Sequence, residues 1–150
     1  LAYRVTTFFQ IFLNRRNVIP HTFAMMARVP GCSKHAYHRD QKSGFIMVIS
    51  LSDGYEFWVV PGSAHSMPED RGRVEIVAGR PVKVVLNKWQ ILFADARIVH
   101  CGGASPEETP GMFMFRDSYN KMALHCYIET SDDEGVVYGD NTYLVRLKEI

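Results

Sequence analysis

Two histidines and an aspartate stand close together in the segment HAYHRDQKSGFIMVIS, residues 35–50, just before a run of apolar and β-branched residues. Side chains alternate along an extended chain, so His38 and Asp40 share one face and Arg39 points to the other. His35 has the opposite parity to His38 and is a weaker ligand candidate. An imidazole beside a carboxylate can bind a divalent cation. The alternative is a hydrogen-bonded pair in a surface loop, because this spacing also occurs by chance.

A third candidate ligand follows in the segment NKWQILFADARIVHCGG, residues 87–103. Here a turn leads into an apolar strand, a tight link and a second strand that ends at His100. Across a β-barrel from His38 and Asp40, this histidine completes a set of two imidazoles and one carboxylate. Such a set leaves metal positions open and is typical of non-haem Fe(II) sites that bind a co-substrate and O₂. The alternative for His100 is a strand-capping residue.

Short strands are the elements that must position these side chains. Apolar and β-branched segments separated by turn formers follow one another after Pro20, and no helical pattern stands between them, which predicts an all-β sandwich or barrel. Residues 3–17, YRVTTFFQIFLNRRN, have apolar residues at helical spacing and predict an N-terminal helix, with a strand as the alternative. The predicted strands are HTFAMMARV, GFIMVISL, YEFWVV, RVEIVA, PVKVVL, WQILFAD, ARIVHC, GMFMFRD, MALHCYIE and a hairpin in GVVYGDNTYLVRL.

Size and composition indicate one globular domain that spans residues 1–150. The chain is 47% apolar and carries a formal net charge of +1, which does not indicate nucleic acid or an anionic membrane as a partner. No apolar run is long enough to span a bilayer.

The cysteines favour an intracellular protein. Cys32, Cys101 and Cys126 are odd in number, widely spaced and free of any C-x-x-C pattern, which is typical of reduced thiols in the cytoplasm or nucleus rather than of a disulfide scaffold. The sequence opens at Leu1 without an initiator methionine, so we expect a trimmed N-terminus.

Three segments together resemble one known family. They are HRD at 38–40, FWVVPGSAHS at 57–66 and WQILFADARIVHCGG at 89–103. With them the chain resembles the Fe(II)- and 2-oxoglutarate-dependent dioxygenases with a double-stranded β-helix core. It is most similar to the phytanoyl-CoA dioxygenase-like branch and to relatives of the thymine hydroxylase of base J synthesis. The resemblance covers roughly residues 21–130.

The resemblance implies a fold, a metal and a co-substrate. The fold is a double-stranded β-helix, that is, a jelly-roll or cupin-like barrel, preceded here by the N-terminal helix. His38, Asp40 and His100 are the implied ligands of catalytic Fe(II), with 2-oxoglutarate and O₂ as small-molecule partners. A basic residue, usually an arginine on the last core strand, is implied to bind the distal carboxylate of 2-oxoglutarate, since a guanidinium can pair with both carboxylate oxygens.

The sequence departs from the family pattern at two places. Asn87-Lys88 stands where the family has Gly-Asp, and Ala123 stands where the arginine of the last strand is expected. Lys121, two residues earlier on the same strand face, and Arg116 in the preceding predicted strand are the two candidates for binding 2-oxoglutarate.

Three functions are therefore compatible with the sequence. The first is a dioxygenase that couples oxidative decarboxylation of 2-oxoglutarate to hydroxylation of a substrate that the sequence does not identify. The second is a cupin-like metal enzyme that does not use 2-oxoglutarate, and the third is an inactive β-barrel used for binding or assembly. Of the remaining histidines, we expect His65 in a turn, and His125 either in the packing or lining the pocket.

Overall fold

β-strands make up almost all of the regular secondary structure that is described. The computed structural model describes residues 7, 10, 18–40, 44–65, 75–105, 121–130 and 143–148. Within these ranges lie ten strands and one 3-10 helix, Ser63–His65. In chain order the strands are β1 (Val18–Arg28), β2 (His38–Arg39), β3 (Phe45–Ser50), β4 (Tyr55–Val60), β5 (Glu75–Ala78), β6 (Val82–Leu86), β7 (Ile91–Asp95), β8 (Val99–Gly102), β9 (Lys121–Thr130) and β10 (Tyr143–Lys148).

The strands form two sheets. One has four strands in the order β1-β9-β3-β7, and the other has six in the order β5-β10-β2-β8-β4-β6. The neighbouring pairs are antiparallel except β5 with β10, which is parallel. From β1 to β4, and again from β6 to β9, each successive strand lies in the opposite sheet. This winding makes β2 and β8 neighbours although they are far apart in sequence.

The core lies between the two sheets. Ile46 and Val48 of β3 form one buried cluster with Tyr55 and Phe57 of β4, which belongs to the other sheet. In each strand the two residues are two positions apart, so both point to the same side. The inward faces of the sheets therefore pack as in a β-sandwich.

The prediction of a β-rich fold is confirmed: the sheets are mostly antiparallel, and the architecture is of the sandwich or cupin-like kind. The helix predicted over residues 3–17 lies outside the described residues, apart from Thr7 and Gln10. The predicted strand at 111–117 and the first arm of the predicted hairpin, 135–142, also lie outside them, whereas β10 forms at the second arm. No helix within the described ranges is long and apolar enough to cross a bilayer.

Removing one methylene from the core should lower the free energy of unfolding. Ile46 is 2% exposed and Ile91 is 57% exposed. We expect Ile46→Val to cost about 1 kcal/mol, because the lost methylene leaves a small cavity between the sheets. The matched control Ile91→Val should change stability by less than about 0.5 kcal/mol. Urea unfolding of both variants measures the difference, and equal losses would contradict this placement of the core.

Candidate metal centre

The pairing of β2 with β8 brings the two candidate histidine ligands together. His38 lies directly opposite His100 in the antiparallel register of these two strands. Asp40 follows β2 immediately and shares the face of His38, as the alternation of an extended chain requires. Three residues that the sequence separates by up to 62 positions thus meet at one place on the inner face of the six-stranded sheet.

The carboxylate of Asp40 lies between the two imidazoles. Its Oδ1 is 3.3 Å from His38 Nε2 and its Oδ2 is 3.2 Å from His100 Nε2. The candidate ligand atoms of the three residues all lie within 4.8 Å of one another. The side chains of Asp40 and His100 are 9% and 2% exposed, and that of His38 is 20% exposed. The group is thus nearly buried but open on the side of His38.

Backbone carbonyls hold both imidazole rings in place. His38 Nδ1 is 2.8 Å from the carbonyl oxygen of Ala36, and His100 Nδ1 is 2.9 Å from that of Ile98. A carbonyl can only accept, so each Nδ1 carries the proton that it donates. A neutral ring then has its lone pair on Nε2, which is the arrangement that metal-binding histidines usually have. Nε2 can donate to Asp40 only in a protonated ring, and therefore only when it does not bind a metal. Two imidazole nitrogens and one carboxylate fit a divalent transition metal such as Fe(II).

Asp40 and the histidines beside it affect each other's pKa. Burial by itself would raise the pKa of Asp40, but hydrogen bonds from His100 and His38 and their charges outweigh burial and hold that pKa well below its usual range. Burial by itself would lower the pKa of His38, but its bonds to Asp40 and to the Ala36 carbonyl raise it overall. The site therefore keeps a negative carboxylate and attracts positive charge, either protons or a metal cation.

A small cavity of about 80 Å³ opens beside the three residues. This volume suits a small group rather than a large substrate. Phe57 stacks on the His100 ring at a centroid distance of 5.0 Å and an interplanar angle of 19°. Besides these side chains the cavity is lined by residues that include Met26, Arg28, His35, Tyr55, His125 and Tyr127. One wall is therefore the candidate metal site, and the wall from β1 and β9 carries further polar groups.

Arg28 is a buried cation in this cavity. Its side chain is 4% exposed, and its Nη1 and Nη2 have no hydrogen-bond partner in the described part of the chain. The guanidinium carbon lies 4.0 Å from the centroid of the Tyr55 ring. Gly102 leaves room for it, because a Cβ there would approach Nη2 to 2.8 Å. Sequence reasoning missed Arg28, although the alternation along β1 places it on the same face as Ala24 and Met26.

Of the two cations chosen from the sequence, only Lys121 is among the described residues. Lys121 is the cross-strand partner of Arg28, but its amine donates to the carbonyl of Asp53 at 2.5 Å, and it does not line the cavity. Arg116 lies outside the described residues. That either of them binds 2-oxoglutarate stays a prediction.

His125 and Tyr127 of β9 also face the cavity, so of the two positions considered for His125, in the packing or lining the pocket, the structure has the second. The Nε2 of His125 is buried without a hydrogen-bond partner among the described residues. Burial lowers its pKa to about 4, so the ring is neutral near pH 7. The Tyr127 hydroxyl hydrogen-bonds to Asp40, and burial together with that carboxylate raises the pKa of the phenol. His65 lies exposed in the 3-10 helix, as expected for a turn residue.

His35 has an intermediate position. It lines the cavity but does not belong to the group of candidate ligands. Its backbone N–H donates to the carbonyl of Gly102 at 3.1 Å. Residues 32–37 belong to no strand, so the alternation of an extended chain does not apply here, and His35 faces the same cavity as His38.

No protein-family model matches the sequence, and neither does any curated protein. Several solved structures are similar. AviO1 from Streptomyces viridochromogenes Tue57 has a TM-score of 0.60 at 19% identity, over 85% of this chain and 57% of AviO1. EvdMO1 has a TM-score of 0.56 at 20% identity, over 75% of this chain and 27% of EvdMO1. SnoK, a non-heme alpha-ketoglutarate-dependent carbocyclase from nogalamycin biosynthesis, has a TM-score of 0.61 at 16% identity, over 95% of this chain and 67% of SnoK.

These likenesses are of fold. The chain spans 57% of the length of AviO1 and 27% of that of EvdMO1. At identities of 20% or less they show that the chain shares a fold with these proteins. A shared fold does not carry an activity with it, so the function has to be argued from the site.

His125 should make the protein sensitive to mild acid. Its pKa is about 4 in the folded state and 6.5 ordinarily, so the unfolded state takes up the proton first. Its contribution to stability is complete above pH 6.5 and is lost as the pH falls towards 4, by about 3 kcal/mol in all. We expect His125→Gln to remove this loss, which urea unfolding of both proteins between pH 7 and 4 would show.

The comparison of the two proteins isolates His125. The raised pKa of His38 has the opposite effect, with stability lost as the pH rises above 6.5, but wild type and variant share it and it largely cancels in the difference. A wild-type-minus-variant difference that stays constant from pH 7 to 4 would contradict the prediction.

Proposed function

We propose that the protein is a non-haem Fe(II) oxygenase that couples oxidative decarboxylation of 2-oxoglutarate to hydroxylation of another substrate. The observation that carries the proposal is the convergence of His38, Asp40 and His100 in a cavity that is also lined by the buried guanidinium of Arg28, whose Nη1 and Nη2 have no hydrogen-bond partner among the described residues. The cavity thus has a candidate metal site and, separately, a buried cationic side chain. A small anionic chelator such as 2-oxoglutarate has the chemistry to bind the metal with one end and the guanidinium with the other.

The proposal includes the finer fold, a single double-stranded β-helix domain over residues 1–150. Its support is the way the chain alternates between the sheets from β1 to β4 and from β6 to β9. The similarity to SnoK, described as alpha-ketoglutarate-dependent, over 95% of this chain adds support.

Each of the three proposed ligands has a distinct role. His38 and His100 offer Nε2, because their Nδ1 protons bind to backbone carbonyls. Asp40 supplies the only negative charge of the set, and the Tyr127 hydroxyl bonds to it. Bound Fe(II) would supply the reaction of O₂ with 2-oxoglutarate that gives succinate and CO₂ and hydroxylates a C–H bond. With one carboxylate in the set, a divalent ion keeps a net positive charge that favours an anionic co-substrate.

Arg28 is the proposed partner of the distal carboxylate of 2-oxoglutarate. A guanidinium can donate to both oxygens of a carboxylate, and burial strengthens that pairing because water does not compete. Tyr55 lies against the guanidinium face and holds it in the cavity. The Nε2 of the neutral His125 ring has no hydrogen-bond partner among the described residues, and in the tautomer with the proton on Nε2 it can donate to the bound anion.

Loss of one ligand should greatly weaken metal binding. We expect His38→Ala to weaken Fe(II) binding by more than about 100-fold, because changes outside the ligand set already cost 10- to 100-fold in such sites. Anaerobic titration with Fe(II), followed by metal analysis after gel filtration, measures it. His65→Ala is the matched control, since His65 is exposed and outside the group. Equal affinities of the two variants would refute the proposed site.

Loss of Arg28 should weaken 2-oxoglutarate binding without removing the metal. We expect Arg28→Gln to raise the Kd about 10- to 100-fold, the value of hydrogen bonds to a charged group. Anaerobic titration of the Fe(II) protein with 2-oxoglutarate, read by the metal-to-ligand charge-transfer band, gives the Kd. Lys121→Gln is the matched control on the neighbouring strand, and a larger effect there would assign the role to Lys121 instead.

The same titrations distinguish the other two functions. Stoichiometric Fe(II) with no charge-transfer band would favour a cupin-like metal enzyme that does not use 2-oxoglutarate. No Fe(II) binding at all would leave an inactive β-barrel used for binding or assembly. Both outcomes would reject the oxygenase.

A further inference from the structure

Arg39 lies between two of the proposed ligands in sequence but on the other side of the sheet. Its side chain is 0% exposed and is the largest among the fully buried ones in the described ranges. Burying a guanidinium costs free energy that an apolar side chain of similar volume would not cost. The volume of the site therefore does not explain an arginine here, and its hydrogen bonds must be considered.

The guanidinium of Arg39 bonds to two separate backbone segments. Its Nη1 donates to the carbonyl of Ser63 at 2.6 Å and also to the carbonyl of Arg97. Ser63 begins the 3-10 helix after β4, and Arg97 lies in the turn between β7 and β8. That turn is itself held by Asp95, whose carboxylate accepts from the backbone N–H of Arg97 at 2.8 Å and from its side chain.

Ser63 extends these bonds to the strand that carries the third ligand. Its side chain is buried, and its hydroxyl donates to the carbonyl of Val60 at 2.7 Å and accepts from the backbone N–H of Val99 at 2.8 Å. Val99 immediately precedes His100. Through its carbonyl and its hydroxyl, one serine therefore connects Arg39, between His38 and Asp40, to the residue before His100.

The backbone ladder at this point is short. β2 has only two residues, and its register with β8 consists of the single pair His38 and His100. On its other side it pairs with β10 at two positions. Since ligands must be held to within about 0.5 Å for a productive site, so short a strand needs support from side chains.

We infer that Arg39 and Ser63 are positioning residues that set the separation of the two ligand-bearing strands. The inference rests on the proposed function, because it concerns how the metal ligands are held. It also gives physical roles to the middle residue of HRD and to the serine of PGSAHS, two segments singled out in the sequence.

The test compares metal affinity with stability. Ser63→Ala removes the hydroxyl and keeps the carbonyl that binds Arg39. Arg39→Lys keeps the charge but replaces the planar guanidinium, whose Nη1 donates to both carbonyls, by an ammonium on a side chain one bond shorter. Ser52→Ala is the matched control, because the Ser52 hydroxyl accepts from the backbone N–H of Met122 at 2.9 Å and lies outside the cavity lining. Each protein is titrated with Co(II), its visible d–d spectrum is recorded, and its unfolding in urea is measured.

We expect Ser63→Ala and Arg39→Lys to weaken Co(II) binding by about 10- to 100-fold and to alter the d–d spectrum. Ser52→Ala should lower stability but leave affinity and spectrum as in the wild type. Should Arg39→Lys fail to fold, Ser63→Ala decides alone. Wild-type affinity and spectrum in Ser63→Ala would overturn the inference while leaving the proposed function intact. A wild-type protein that binds no Co(II) would overturn both.

Discussion

The sharing of one carboxylate by two imidazoles is the interaction on which the rest of the site depends. Asp40 would be costly to bury unless its charge were compensated, and each of its oxygens faces one Nε2, of His38 or of His100. Two backbone carbonyls orient the rings from behind. Because the two histidines come from different strands, the carboxylate also connects the early and late parts of the chain at the place where their ladder is shortest.

The cavity combines opposite electrostatic characters on its two walls. The six-stranded sheet contributes the candidate metal ligands, whereas β1 and β9 contribute Arg28 and His125, whose buried nitrogens have no hydrogen-bond partner among the described residues. Unsatisfied buried donors are rare in folded proteins, and each requires an explanation. A ligand that brings its own oxygens explains both at once. The proposed co-substrate is thus argued from groups that have no hydrogen-bond partner in the described part of the chain, rather than from the similarity of fold.

Much of the framework could be predicted from the pattern of residues. Alternation of apolar and polar positions, with turn formers between, indicated most of the strands, because a half-buried strand imposes a period of two on its sequence. The same alternation placed His38 and Asp40 together, and Arg39 opposite them. Which strands become neighbours was not readable locally, since it depends on contacts between segments distant in sequence.

The cation that lines the cavity, Arg28, shows most clearly that strand neighbours cannot be predicted from local sequence. Sequence reasoning named Lys121 on the last core strand and Arg116 on the predicted strand before it, whereas Arg28 lines the cavity from β1, the neighbour of β9. By itself the sequence determined the residue types, their parity and the strand-forming segments, all of which follow from local periodicity. Only the tertiary structure decided which side chains share one enclosed space, because sheet order and register depend on how the whole chain buries its apolar surface.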